Sequence, residues 1–108
     1  MSQSETLARL EATIAQRRAA DPDSSYVAKL NAKGTGKIAQ KLGEEATETV
    51  IAALTQDKAA LVGEAADLIF HLMVLLGNKG VPFADVLAEL DRREGVSGIA
   101  EKASRPKD

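Results

Sequence analysis

The sequence predicts an all-α helical bundle, and three observations carry that prediction. Apolar residues recur at helical spacing along the chain, and no stretch alternates as a half-buried strand does. Breaks rich in Gly, Pro, Asp and Ser separate the apolar runs. The apolar complement, 44% of 108 residues, is almost wholly aliphatic, because aromatics make up only 3%.

Each element follows from its own residues. Leu7, Leu10 and Ile14 mark a first helix over about residues 4–19. Asp21-Pro22-Asp23-Ser24-Ser25 ends it, with Ser24 or Ser25 placed to cap a short helix running through Leu30. Lys33-Gly34-Thr35-Gly36 is the second break. A long helix is then expected from about Lys37 to Thr55, and another from about Lys58 to Asn78, with Gly77 and Gly80 as stop signals. Pro82 suits the first turn of a last helix whose apolar face is Val86, Leu87 and Leu90. From about residue 95 to 108 the chain reads as loop or tail, and nothing marks a domain boundary, so one domain over residues 1–108 is expected.

Composition excludes several function classes. With no cysteine there is neither a disulfide framework nor a thiolate zinc site. A net charge of -2 argues against a nucleic-acid binder that works by neutralising phosphates. The amphipathic, charged N-terminus is unlike a signal peptide, and the apolar run Leu72 to Leu76 is too short to cross a bilayer. A soluble, cytoplasmic protein with no membrane partner is expected.

The two long helices hold the chemistry. At about 100° per residue, Lys37, Lys41, Glu44, Glu45 and Glu48 form a charged stripe opposite Ile38, Leu42, Ala46, Val50 and Ala53. Any amphipathic surface helix gives that picture, with Lys37 and Lys41 as partners of a solvated acidic face. The second long helix is less ordinary: Glu64, Asp67 and His71 form a narrow polar stripe on a helix otherwise apolar nearly all round. Such a helix is expected to be buried on several sides, its acids facing an enclosed cleft where unpaired carboxylates are costly. Together, Glu44, Glu45, Glu48, Glu64 and Asp67 suit a hard divalent cation held by oxygen ligands, Mg²⁺ above all.

Other features support this or leave two readings open. Gly43 and Gly63 directly precede the acidic motifs, where glycine costs a helix about 1 kcal/mol; they either permit close packing or are tolerated weakness. Lys33-Gly34-Thr35-Gly36-Lys37 fails as a phosphate loop, since Asn31 stands where the first glycine belongs and Ile38 where Ser or Thr should follow. Lys33, Lys37 and Lys41 nevertheless recur every fourth residue toward the acids, placed for polyphosphate charge if the helix extends back that far. His71, one turn after Asp67, is placed to hydrogen-bond it, as a structural residue or as support for the site. No nucleophile–histidine pair can be assembled for acyl chemistry.

At this point the residues match a known family. KGTGKIAQKLGEEATETVIAA followed by EAADLIFHLMVLL resembles the phosphoribosyl-ATP pyrophosphohydrolases of histidine biosynthesis, members of the MazG-like all-α nucleotide pyrophosphohydrolases. The superfamily pattern E-x-x-E, spacer, E-x-x-D stands here as Glu45-x-x-Glu48 and Glu64-x-x-Asp67, with Glu44 supplying a doubled acid. SYVAKLNAKG upstream and REGVSGIAEKASR at the end resemble the same branch.

The resemblance implies Mg-dependent hydrolysis of phosphoribosyl-ATP to phosphoribosyl-AMP and pyrophosphate, the second step of the pathway, by a homodimer of intertwined helices. It implies that Glu45, Glu48, Glu64 and Asp67 bind the metal with Glu44 adjacent. Some family members are fused to a cyclohydrolase, the next enzyme of the pathway; the present sequence carries none, so a monofunctional chain is expected. Glu45 or Glu48 is then expected to position the attacking water or accept its proton. Lys33, Lys37 or Lys41 would stabilise the departing pyrophosphate. Two alternatives stand beside this: a MazG-like enzyme acting on another nucleoside triphosphate, and a non-enzymatic helical module that dimerises through Leu72 to Leu76. The basic residues Arg92, Arg93, Lys102, Arg105 and Lys107 are candidates to close over the phosphoribosyl group, or to form an exposed end.

Overall fold

Helix α1 spans Gln3–Arg18, α2 Tyr26–Lys33, α3 Thr35–Thr55, α4 Lys58–Asn78 and α5 Phe83–Arg93. This is a computed structural model that describes residues 3–94, and among them there is no strand. The basic residues beyond 94 singled out in the sequence lie outside the described residues.

Local chemistry sets the boundaries. Ser25 caps α2: its hydroxyl accepts from the Ala28 N–H at 3.1 Å and donates to the Arg17 carbonyl at 3.3 Å, tying the turn back to α1. Gly34 ends α2 with φ +96°, and α3 restarts at once at Thr35, two residues before the expected start. Asp57 caps α4 by accepting from the Ala60 N–H at 2.9 Å, so only Gln56 and Asp57 separate the two long helices. Gly77 lies inside α4 and is not its stop. Gly80, at φ +71°, is: the Val81 N–H bonds the Leu76 carbonyl and the Gly80 N–H the Gly77 carbonyl, the paired bonds of a Schellman end.

α3 and α4 form an antiparallel hairpin, with α1 and α2 packed against one end of it. The core sits at that end, where Ile14, Val27, Leu30, Ile38, Met73 and Val74 are buried and Leu7, Leu10, Phe70, Leu75 and Phe83 pack around them. Side-chain bonds pin the same end, Thr35 Oγ1 to Asn78 Oδ1 at 2.6 Å and Asn78 Nδ2 to Asn31 Oδ1 at 2.9 Å. α5 is held at its start, where the Phe83 N–H donates to Glu11 Oε2 at 2.8 Å, but none of its residues is buried.

Among the described residues, the far end of the hairpin is left exposed. Val50, Leu54 and Val62 are 59%, 78% and 69% exposed, and Ile51 and Ile69 are also open. The expectation that α4 is buried on several sides therefore fails within one chain: only His71, Met73 and Val74 on it are fully buried. Among the described residues, α1 packs against the C-terminal half of α4, around Met73, Val74, Leu76 and Gly77. α4 is long and apolar enough to cross a membrane by length and composition alone, a test that the core helix of a globular protein also passes.

Candidate functional site

The middle of the hairpin brings acids together. Glu45 and Glu48, one turn apart on α3, face Glu64 on α4, and one carboxylate oxygen from each lies within 4.8 Å of the other two. The register is fixed by Thr49, whose hydroxyl donates to the main-chain carbonyls of Glu45 at 2.8 Å and Glu64 at 3.2 Å. Unit charges that close repel by about 1 kcal/mol in bulk water and about 4 kcal/mol at an effective dielectric near 20. The cluster therefore needs protons or a cation.

Glu45 shows this directly. It is only 9% exposed, and its Oε2 is buried with no hydrogen-bond partner. Its carboxyl is pushed above the usual range, first by a hydrogen bond with the Glu48 carboxyl, then by burial and the negative charge of Glu48; His71 opposes this, and Asp67 adds to it least. A buried orphan acceptor amid like charges is costly unless a cation completes it. An all-oxygen donor set with one buried and two more accessible carboxylates suits a hard ion such as Mg²⁺, which keeps open positions for water and phosphate. The residues present fit the group.

The other expected site residues are placed differently. Glu44 is not in the cluster: it is exposed, and it accepts from Gln40 Nε2 at 2.9 Å and pairs with Lys41 Nζ at 3.3 Å, contacts that hold its carboxyl below the usual range. It lines a shallow groove with Gln40, Gly43, Thr47 and Glu48. Asp67 lies one turn beyond Glu64 and outside the close group, near enough for its charge to act on Glu45. Lys37 and Lys41 stand on the first two turns of α3. Lys33 ends α2, so the four-residue lysine register is broken at Gly34.

Comparison with known proteins identifies the family. The family model described as phosphoribosyl-ATP pyrophosphohydrolase matches residues 7–94, which includes every carboxylate named above. The chain belongs to the phosphoribosyl-ATP pyrophosphohydrolase family. It is 77% identical over 105 residues to the phosphoribosyl-ATP pyrophosphatase of Novosphingobium aromaticivorans, covering 97% of this chain and 98% of the relative. Against the proteins of the same name from Rhizorhabdus wittichii and Zymomonas mobilis, identity is 74% over 102 residues and 65% over 103. These alignments cover 94% and 95% of this chain and 96% of each relative.

Within this phosphoribosyl-ATP pyrophosphohydrolase domain, His71 does not bond the Asp67 carboxylate. Its Nδ1 lies 2.7 Å from the Asp67 main-chain carbonyl and its Nε2 2.9 Å from the Tyr26 hydroxyl. Sequence reasoning missed Tyr26 and Thr49. Nothing local ties Tyr26 to a histidine 45 positions away, whereas Thr49, at i+4 from Glu45, carries a weak signal: helical threonines bond back to that carbonyl. The packing reading of Gly43 and Gly63 fails within the described chain, since a Cβ on either would meet nothing within 4 Å. A separate cavity of about 360 Å³, lined by Ile14, Arg18, Met73, Gly77 and Phe83 among others, includes none of the clustered carboxylates.

Proposed function

We propose that Glu45, Glu48 and Glu64, with Asp67 at their edge, hold Mg²⁺ and form the centre at which this chain hydrolyses phosphoribosyl-ATP to phosphoribosyl-AMP and pyrophosphate. The chain is a phosphoribosyl-ATP diphosphatase of histidine biosynthesis, as its family and near-full-length relatives have it. The assignment of the work to these side chains rests on one observation, the buried and unpartnered Oε2 of Glu45 inside a three-carboxylate cluster.

Bound Mg²⁺ would neutralise the triphosphate and make water more acidic. Glu48, the exposed member of the group, is placed to accept the proton of the attacking water, while buried Glu45 holds its oxygens in fixed positions. Thr49 keeps Glu64 opposite both. Lys37 and Lys41 meet the negative charge that grows on the departing pyrophosphate, with Lys33, the last residue of α2, as a further cation for it. Glu44 serves the site through Lys41, whose ammonium it holds at 3.3 Å.

The working unit is a homodimer of single-domain chains, acting in the cytoplasm. The support is the exposed aliphatic side chains Val50, Ile51, Leu54, Val62 and Ile69 on α3 and α4, which a second copy would bury. They adjoin the acidic cluster, so dimerisation would also enclose the site.

The test is pyrophosphate release from phosphoribosyl-ATP at saturating Mg²⁺ by Glu48→Gln and Asp67→Asn. Each is expected to lose about 100-fold or more in kcat. Near-normal turnover in both would sink the assignment, and faster hydrolysis of common nucleoside triphosphates would favour a different substrate.

A further inference from the structure

Arg18 ends α1 beside the last turn of α4. Its guanidinium lies over Gly77: Cζ and Nε stand 3.3 Å and 3.9 Å from where a Cβ on that glycine would sit, and one terminal nitrogen stands closer still. A methyl group at position 77 would displace the guanidinium. Glycine inside a helix costs about 1 kcal/mol against alanine, and here that weakness makes a seat for a cation. Arg18 does not use the seat to cap α4. The carbonyls of Leu75, Leu76 and Gly77 are already bonded by the N–H groups of Lys79, Val81 and Gly80. Among the described residues the Arg18 side chain has no hydrogen bond and no ion pair.

The same side chain forms part of the wall of the cavity of about 360 Å³ between α1, the end of α4 and the start of α5. Small-molecule sites typically measure about 300–1,000 Å³ and are mostly apolar, with a few polar groups that fix orientation. This lining has that character: Ile14, Met73, Leu76, Val81 and Phe83 supply apolar wall, and Arg18 is its one cation. The one acid of the lining, Glu11, stands seven residues before Arg18, about 10 Å away along α1. Its Oε2 accepts from the Phe83 N–H at 2.8 Å, which ties the α5 wall to α1.

These groups select a ligand. The two oxygens of a carboxylate match the paired N–H donors of a single guanidinium. A phosphate dianion would need a second cation, which the lining does not supply, and Glu11 would repel it. We propose that this cavity is a second ligand site, separate from the acidic cluster, which takes a small monocarboxylate with a branched or aromatic body. Arg18 pairs with the carboxylate, Gly77 seats Arg18, and the body of the ligand lies against Met73, Leu76 and Phe83. The inference does not depend on the hydrolytic reading, since none of the clustered carboxylates lines this cavity.

Hydrocinnamate is the probe, with phenylpropanol as its uncharged counterpart. Titrated into the full chain and followed by amide NMR shifts, the acid is expected to bind with a millimolar or tighter Kd. It should move the amides of Arg18, Gly77 and Phe83 and leave those of Glu45 and Glu64 in place. The alcohol should bind at least about tenfold more weakly, because the charge-assisted pair is lost. Arg18→Met, which keeps an apolar stem, should weaken the acid by a similar factor. Gly77→Ala should weaken it several-fold with helical circular dichroism unchanged. Ala15→Phe, at an exposed position of the cavity wall, should abolish binding with Arg18 still present, and it serves as the test should Arg18→Met fail to fold.

Equal binding of acid and alcohol, or undiminished binding of the acid by Arg18→Met or Ala15→Phe, overturns the inference. So does inorganic phosphate that binds as tightly as the acid, a set of shifts confined to the acids of α3 and α4, or no binding up to the solubility limit of the probe.

Discussion

The Thr49 hydroxyl on α3 shares its proton between the main-chain carbonyls of Glu45 on its own helix, at 2.8 Å, and Glu64 on α4, at 3.2 Å. One side chain thereby sets the height at which the two acidic motifs meet. Thr49→Val keeps the shape and removes the bond, at an expected cost of about 1 kcal/mol in chemical denaturation. It should also reduce the rise in Tm on adding Mg²⁺, because Glu64 is no longer held opposite Glu45. Thr49→Ser should restore both. A Thr49→Val protein with wild-type stability and cation response would remove Thr49 from the site.

Glu45 gives the pH dependence. Its folded carboxyl lies above the ordinary value of 4.5, chiefly through the hydrogen bond with Glu48. A raised carboxyl favours folding while it is protonated. That contribution is complete below the unfolded value and is lost as pH rises through the folded one. In the absence of divalent cations, Glu45→Gln should therefore melt higher than wild type near neutral pH, and the difference should close as pH falls toward the ordinary carboxylate range. Mg²⁺ should then raise the Tm of wild type and not of Glu45→Gln. A variant that melts below wild type at neutral pH without cations would show that the Glu45 charge is satisfied inside the chain.

The glycines separate by backbone. Gly63 lies inside α4 with nothing within 4 Å of where a Cβ would stand, so Gly63→Ala should stabilise by up to about 1 kcal/mol. Gly34, at φ +96°, should lose about 1 kcal/mol or more on the same change, because a Cβ is strained there. Urea titrations of the two variants check the contrast.

The exposed apolar end of the hairpin predicts the assembly. Sedimentation should find a dimer for the wild type in detergent-free buffer. Leu54→Asp and Val62→Asp, at positions 78% and 69% exposed in the single chain, should weaken it at least tenfold. On an isolated chain such exposed changes would be nearly neutral, so a monomeric wild type with unaffected variants refutes the dimer.

Much of this was legible in the residues. Asp57 and Ser25 are capping types directly before apolar runs, and Gly80 followed by Pro82 marks a stop, so helix boundaries fell within a few residues. Gly77 misled, because a glycine in a helix and one after it look alike until φ is known. The acidic motifs could be found because i, i+3 spacing keeps Glu45 with Glu48 and Glu64 with Asp67 on one helix face each. Which neighbours turn inward could not. Glu44 and Glu45 are adjacent and chemically identical, and only the rotation of α3 against α4 buries one at the cluster and leaves the other with Gln40 and Lys41.

The sequence by itself determined the helices, the family and the set of acids, since these depend on local spacing and on motifs read in order. Tertiary structure decided which acids converge, that Tyr26 reaches His71 across 45 positions, and that, among the described residues, the core closes one end of the hairpin. The physical reason is range. Caps and amphipathic faces act within a turn or two, whereas charge crowding at Glu45 and the bare aliphatic surface at Leu54 and Val62 exist only once α3 lies against α4.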